Sequence, residues 1–130
     1  MLMSNRDLPK PTEAELELLA ALWEKGSATV RELCDMLSRE RPRGYTSVLK
    51  TLQIMTDKGL VERSELGKAH VYRAAATQGE TQSQLLRDLT TRLFAGSAAQ
   101  LAMHALSMEA VGADELREIE RLIDAKMRPK

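Results

Sequence analysis

The stretch that decides the fold reads RPRGYTSVLKTLQIMTDKGLV and covers residues 41–61. Pro42 breaks any helix that precedes it, because proline lacks the backbone donor and restricts the residue before it. Gly59 is the type of residue that most often ends a helix. Between these two residues apolar side chains recur at spacings of three and four, so the sequence predicts a helix over residues 45–58.

The two faces of this predicted helix differ in chemistry. One face is an apolar stripe and is predicted to be buried. The opposite face is short, polar and basic in its N-terminal half, so it could approach base edges closely and offer hydroxyl groups and a lysine to them. The buried stripe consists of Tyr45, Val48, Leu49, Leu52 and Met55, and the exposed face of Arg43, Ser47, Lys50, Ile54 and Asp57, flanked by Thr46 and Thr51.

The elements around this helix complete a known architecture. Two earlier helices are predicted over residues 12–25 and 30–40, because each has an apolar stripe and begins with a threonine followed three residues later by a glutamate, the pattern of a capping box. Two short β-type runs follow, residues 60–64 and 70–74, joined by a turn at Gly67. Three helices followed by a hairpin are typical of a winged helix-turn-helix, in which the third helix enters the DNA major groove.

The local charge supports a DNA-binding role, although the chain as a whole is neutral. Its 19 basic and 19 acidic residues cancel, but residues 39–50 contain three arginines and one lysine against one glutamate, a local charge of +3. DNA responds to the local field rather than to the average, and basic residues on the hairpin would contact phosphates. The predicted DNA contacts are Arg43, Thr46, Ser47, Lys50 and Thr51 on or beside the third helix, and Arg63 and Lys68 on the hairpin 60–73, the predicted wing.

The C-terminal part of the chain has a different character. The polar segment QGETQSQ, residues 78–84, is predicted to separate a DNA-binding domain, residues 1–77, from a helical domain, residues 78–130. Three amphipathic stripes with helical spacing lie in this second part, the first of them ending at Gly96. The predicted fold class is therefore mainly α with a small β wing, a winged helix-turn-helix followed by a C-terminal helical region.

Other chemistries are not indicated. The chain has a single cysteine, Cys34, which cannot form an internal disulfide and lies on an apolar stripe. Its two histidines, His70 and His104, fall in different predicted domains, so they do not suggest a metal site. No nucleophile elbow or phosphate-binding glycine loop is present. The sequence therefore predicts neither an enzyme nor a cofactor.

The sequence also lacks the features of an exported or membrane protein. No apolar run approaches the length of a membrane span. The first residues, MLMSNRDLPKPTE, contain no apolar core of the kind found in signal peptides. We therefore expect a cytoplasmic protein.

Four segments together resemble the penicillinase repressor family, of the BlaI/MecI type. They are PTEAELELLAALWEKG (11–26), ATVRELCDML (28–37), YTSVLKTLQIMTDKGLVER (45–63) and GKAHVY (67–72). The resemblance covers nearly the whole chain and is strongest through residue 73. It implies a dimeric transcriptional repressor whose winged helices bind inverted-repeat operators, typically with TACA/TGTA half-sites, and whose C-terminal helices form the dimer.

A homodimer formed by the C-terminal helices also suits their composition. Three short amphipathic helices alone would leave much apolar surface exposed, whereas a two-fold dimer buries that surface and matches the symmetry of a palindromic operator in double-stranded DNA. The alternative is that these helices pack back onto the N-terminal domain. The residues predicted at the dimer interface are Leu86, Leu89, Leu93, Leu101, Leu116, Ile119 and Ile123.

The chain departs from the family pattern in several places. Relatives under β-lactam control are cut between an Asn and a Phe, but His104 and Ala105 stand there and the chain has no Asn-Phe pair. A membrane sensor protease, the partner that the resemblance would imply, is therefore not expected to cut this bond. The C-terminal cysteines of copper-responsive relatives are also absent. Lys50 and Ile54 stand where relatives often have Thr and Arg, so the half-site preference is expected to differ.

Two other functions fit the same residues. A ligand-sensing regulator of the same fold would bind a small molecule between its domains. A winged helix can also serve only as a protein-interaction module. Binding to DNA that weakens steeply with salt would exclude the interaction module, and release from DNA by a metabolite would identify the ligand-sensing regulator.

Overall fold

The computed structural model describes residues 9–129 and has the fold expected from the sequence. Among these residues the chain forms six α-helices and three β-strands. A three-helix core with a hairpin comes first and three helices follow, so the predicted winged helix-turn-helix with C-terminal helices is confirmed. The elements are α1 (Glu13–Lys25), β1 (Ala28–Thr29), α2 (Val30–Leu37), α3 (Tyr45–Lys58), β2 (Val61–Leu66), β3 (Ala69–Ala74), α4 (Gln78–Leu93), α5 (Ala98–Met108) and α6 (Ala113–Met127).

Threonine capping boxes begin α1, α2 and α4. In α1 the Thr12 hydroxyl accepts a hydrogen bond from the Glu15 N–H at 3.2 Å, and the Glu15 carboxylate accepts one from the Thr12 N–H at 2.9 Å. The same reciprocal pair begins α2, as the sequence predicted. A third box, between Thr77 and Glu80, begins α4. The polar segment after residue 77 is therefore the first part of a helix.

Helix α2 is shorter than predicted. The sequence pattern extended it to residue 40, but the helix ends at Leu37 and residues 38–40 form a turn. The Ser38 hydroxyl accepts a hydrogen bond from the Arg43 N–H at 3.2 Å. Serine side chains bind nearby backbone groups in this way where a helix stops, and here the bond holds the connection between α2 and α3.

The three strands form one antiparallel sheet in the order β1-β3-β2. The β2–β3 hairpin has six residue pairs and turns at Gly67, where φ is +65°. Its strands reach Leu66 and Ala69, so the wing is longer than the predicted runs of residues 60–64 and 70–74. Apolar and polar residues stop alternating before the tip of the hairpin, but the backbone pairing between the two strands continues up to the turn.

An aliphatic core lies between α1, α2, α3 and the base of the sheet. Leu52 and Met55 of α3 and Tyr72 of β3 have no exposed surface. Trp23 is half-buried beside the core, and its indole N–H donates to the Ala76 carbonyl at 3.0 Å. Because such cores are close-packed, the orientation of α3 about its own axis is fixed, and with it the face that points outward.

The chain forms two compact units, the first ending at Arg87 and the second beginning at Asp88. The division between domains at residue 77 stays a prediction. In the second unit none of the described residues, 88–129, is buried. No helix among residues 9–129 is long and apolar enough to cross a membrane.

The end of α4 differs from the prediction. The helix was expected to end at Gly96, but it ends at Leu93. Ala95 follows in a left-handed conformation, with φ +51°, and the N–H of Gly96 donates to the Thr90 carbonyl at 2.9 Å. The hydrogen bond reaches six residues back along the chain, one more than the bond that defines a Schellman motif, and glycine is the residue that most readily adopts the left-handed conformation within such a turn. The turn therefore places an alanine where glycine is favoured.

Candidate nucleic-acid interface

Helix α3 is fixed on its inner side. Val48, Leu52 and Met55 are buried, at helical spacing, against α1 and α2. Gly59 ends the helix in a left-handed conformation, φ +83°, and its N–H donates to the carbonyls of the last turn. Three of the five residues predicted for the buried stripe are thus buried. Leu49 is half-buried against the core, and Tyr45 is exposed.

The outer face of α3 carries the polar residues that were predicted to contact DNA. Thr46, Ser47 and Lys50 are exposed, and their side chains form no hydrogen bond or ion pair with residues 9–129. Thr51 is half-buried, and its hydroxyl donates to the Ser47 carbonyl at 3.0 Å. The Thr51 proton is therefore occupied, so this hydroxyl could only accept from a base, such as the amino group of adenine or cytosine.

Tyr45 corrects the predicted buried stripe. It is 47% exposed, because it is the first residue of α3 and lies at the edge of the core. The guanidinium carbon of Arg31 lies 5.5 Å from the centroid of its ring, within the range of a cation–π contact. Sequence analysis did not identify Arg31 as a candidate site residue, although its position in the chain could have indicated one. It lies in the first turn of α2, where the helix dipole disfavours a cation unless an anion is near.

Arg43 corrects the predicted exposed face. It precedes α3, its side chain is only 14% exposed, and its guanidinium donates to both carboxylate oxygens of Glu17 at 3.0 and 3.3 Å. Its backbone is held as well, because the Arg43 carbonyl accepts from the Cys34 thiol at 3.3 Å. Helical projection placed Arg43 outward, but the chain is not helical there and the carboxylate of α1 draws the side chain inward.

Ion pairs tie both ends of α3 to α1. At one end is the Arg43–Glu17 pair, which holds the pKa of Glu17 below its usual value. At the other end Lys58 donates to the buried carboxylate of Glu15 at 2.8 Å. Burial by itself raises the pKa of Glu15, but the hydrogen bonds from Lys58 and Thr12 outweigh burial and hold that pKa below its usual value. Both carboxylates are therefore charged at neutral pH.

The wing carries charges of both signs. Arg63 and Lys68 are exposed and form no ion pair within the described part of the chain, so both are available to phosphates. Arg73 is different, because it is paired with Glu62 on the opposite strand at 2.9 Å. The tip also exposes one apolar side chain, Leu66, with 74% of its surface accessible.

The site contains no arrangement suited to metal chemistry. Among residues 9–129 no group of three or more His, Cys, Asp or Glu side chains could hold a metal ion. His70 lies 3.5 Å from Glu65 across the wing, and His104 is exposed in the second unit. The outer face of α3 instead carries hydroxyls and a lysine, and the wing carries exposed basic residues.

The inner anchoring of α3, its polar outer face and the basic wing define a winged-helix DNA-binding protein. Residues 11–125 match the penicillinase repressor family, and the chain belongs to that family. The family consists of transcriptional repressors and not of enzymes. The resemblance found in the sequence and the DNA-binding class are therefore confirmed.

Individual relatives agree with this assignment. The chain is 29% identical over 112 residues to the transcriptional regulator BlaI of Mycobacterium tuberculosis (strain CDC 1551 / Oshkosh), with 85% of this chain and 80% of that protein covered. It is 18% identical over 119 residues to the penicillinase repressor of Bacillus licheniformis, with 92% and 93% covered.

Two solved structures share the fold. The solution structure of the DNA-binding domain of the repressor BlaI superposes with a TM-score of 0.51 at 22% identity, covering 57% of this chain and 90% of that one. A structure of RosR from H. salinarum superposes with a TM-score of 0.53 at 20% identity, covering 92% of this chain and 96% of that one.

Proposed function

We propose that this repressor acts in the cytoplasm as a homodimer on an inverted-repeat operator. In each protomer α3 lies in the major groove and the β2–β3 hairpin lies on the phosphate backbone as a wing. The observation that carries this proposal is the outer face of α3, where a core-anchored helix presents unpaired short polar side chains and one lysine. Such a face has no role in folding, but it matches the donor and acceptor groups of base edges.

The residues of α3 divide by the contact that each can make. Lys50 can reach a guanine edge or a phosphate, and Ser47 can donate to or accept from a base. Thr46 lies in the first turn, where the free N–H groups of the helix also favour a phosphate oxygen. Arg43 was predicted as a contact, but a phosphate could engage it only by displacing or sharing Glu17.

The wing supplies contacts that position the protein without reading sequence. Arg63 and Lys68 are exposed and lack acidic partners among residues 9–129. Contacts from arginine and lysine to phosphate release counterions, so each one adds to the salt dependence of binding. Arg73 is expected to contribute less to the salt dependence of binding, because Glu62 already neutralises its charge.

The C-terminal helices supply the proposed dimer interface. Five of the seven predicted interface residues are exposed in the single chain and the other two are half-buried. Apolar side chains that a folded chain leaves exposed in such number mark an interaction site. A second copy with two-fold symmetry buries the same patch on both protomers and presents two α3 helices to the two halves of a palindrome. The residues are Leu86, Leu89, Leu93, Leu101, Leu116, Ile119 and Ile123.

A binding titration tests the proposal. The purified protein is titrated against a duplex with a TACA/TGTA dyad and against a scrambled duplex, each at two salt concentrations. We expect tighter binding to the dyad, two chains per duplex, and an affinity that falls by about 0.9 log units per log unit of salt for each phosphate neutralised. Equal affinity for both duplexes would reject this operator, and no binding at low salt would reject the function.

A further inference from the structure

Exposed apolar side chains in the winged-helix part of the chain, residues 9–77, are concentrated on two elements. Between residues 9 and 77 the large apolar side chains in the exposed class are Tyr45, Ile54 and Leu66. Tyr45 and Ile54 lie on α3, and Leu66 lies at the tip of the wing. Single exposed apolar residues are common on protein surfaces, but here each one lies on an element that the proposed function places against DNA.

We propose that Ile54 determines operator specificity by packing against the C5-methyl group of a thymine in the major groove. This inference rests on the proposed function, since it requires that α3 enters that groove. Ile54 is 43% exposed. It follows Lys50 by four residues and Ser47 by seven, so the three side chains form one stripe along the outer face of the helix.

The chemistry of Ile54 leaves one recognisable partner. An isoleucine side chain has no donor or acceptor, so it cannot read the polar edge of guanine, adenine or cytosine. The thymine methyl is the apolar group that the four natural bases present in the major groove. Isoleucine is also stiff in a helix, because its branched Cβ leaves one preferred rotamer. It would therefore lose little side-chain freedom when it packs against that methyl.

The charge next to Ile54 favours a contact of this residue with a DNA base over a contact with the phosphate backbone. Asp57 is exposed and follows Ile54 by three residues, on the same side of α3. A carboxylate is repelled by phosphates, so this part of the helix is poorly suited to the backbone. Lys50, one turn earlier, carries the positive charge. The stripe thus changes from polar and basic contacts at Ser47 and Lys50 to an apolar contact at Ile54.

The test removes the methyl group of each thymine in turn. A high-affinity duplex is first selected from a randomised pool with the wild-type protein, and each thymine in it is then replaced singly by deoxyuridine. Burying one methyl group corresponds to about fourfold in affinity. We expect one thymine per half-site at which the replacement weakens binding about fourfold, and roughly fifteenfold when both half-sites are changed.

A double-mutant cycle assigns the effect to Ile54. The Ile54→Ala variant should bind the thymine and deoxyuridine duplexes equally, and Ile54→Val should retain most of the difference. Leu66→Ala is the matched control, because it also removes an exposed apolar side chain. Leu66 lies on the wing, so this variant should keep the full sensitivity to deoxyuridine. Circular dichroism and thermal melting establish that each variant is folded.

The outcomes separate this inference from the proposed function. A selected operator with no thymine-sensitive position, or an Ile54→Ala variant that keeps the sensitivity, overturns the role of Ile54 and leaves the repressor function standing. A pool that yields no preferred sequence overturns both. Equal loss of sensitivity in Leu66→Ala also overturns the proposal, because the effect would then not belong to α3.

Discussion

The two units of the chain use their apolar residues in opposite ways. In the first unit the aliphatic side chains of α1, α2, α3 and the base of the sheet form a core with several fully buried members. In the second unit residues 88–129 contain many leucines, isoleucines and methionines, yet none of these residues is buried. The first unit can therefore be stabilised by its own packing, whereas the second exposes the surface through which we expect it to bind another copy.

The largest effect is expected in the core of the first unit. Leu52→Ala removes a side chain with no exposed surface and should lower the free energy of unfolding by about 2–5 kcal/mol. Leu122→Ala in α6 is the matched control, since Leu122 is exposed and lies outside the proposed interface; we expect about 0.5 kcal/mol or less there. Urea denaturation measures both. Similar losses in the two variants would contradict the contrast between the units.

The second prediction concerns the apolar surface of α4. Leu89→Asp would place an unpaired charge in the proposed interface, so the dimer dissociation constant should rise by roughly a hundredfold or more. Thr91→Asp adds the same charge to the same helix, away from the apolar stripe, and should leave the dimer intact. Sedimentation over a range of concentrations decides between them. A Leu89→Asp variant that stays dimeric would show that this surface is not the interface.

The third prediction tests whether the inner face of α3 serves folding and its outer face serves DNA recognition. The double variant Ser47→Ala, Lys50→Ala removes two exposed side chains that form no hydrogen bond or ion pair with the described part of the chain. Its stability should stay within about 0.5 kcal/mol of wild type. Discrimination between operator and random DNA should fall by about 1–3 kcal/mol for each of the two side chains that binds a base edge. Unchanged discrimination would mean that α3 does not read the operator.

The parts of the fold that were predictable from sequence depend on short-range chemistry. The bounds of α3 were correct because proline and glycine act within a few residues, and the boxes of α1 and α2 were found because their partners are three residues apart. The errors arise at longer range. Arg43 was placed outward because its partner, Glu17, is 26 residues away, and Tyr45 was placed inward because periodicity treats the first residue of a helix like an interior one.

The same limit applies to the candidate site. Sequence reasoning found the polar face of α3, since helical spacing alone defines it. It missed Arg31, which reaches Tyr45 from another helix, and Leu66, whose exposure depends on how far the hairpin extends. Such features depend on which elements meet in space, and no local pattern encodes that.

The fourth prediction concerns the ion pair between Glu15 and Lys58. The pKa of Glu15 is lowered in the folded state, so its contribution to stability is full above the unfolded pKa of about 4.3 and is lost as the pH falls through the lower folded value. Glu15→Gln should cost about 1–2 kcal/mol near pH 7, because it leaves Lys58 without its partner, and the cost should shrink in acid.

A matched variant separates the effect of the Glu15–Lys58 ion pair on stability from the effect of the helix cap. Glutamine also completes a capping box, so Glu15→Gln retains the cap on α1. Glu32→Gln alters the equivalent box of α2, where the ion pair with Lys25 is exposed and 3.6 Å long; its cost in stability should be clearly smaller than that of Glu15→Gln. Equal costs for the two variants at neutral pH would mean that the Lys58 pair adds no more stability than the exposed Lys25 pair.

The smallest expected effect is a gain of stability in the second unit. Ala95 holds a left-handed conformation, φ +51°, which costs a residue with a Cβ more than it costs glycine. Ala95→Gly should therefore raise the free energy of unfolding by about 0.5–1 kcal/mol, after allowance for the extra freedom of glycine in the unfolded chain. Ala102→Gly, in the interior of helix α5, should lower it by a similar amount. Denaturation at a fixed protein concentration keeps any dimer contribution equal, and a loss of stability in Ala95→Gly would show that the left-handed turn after α4 does not form.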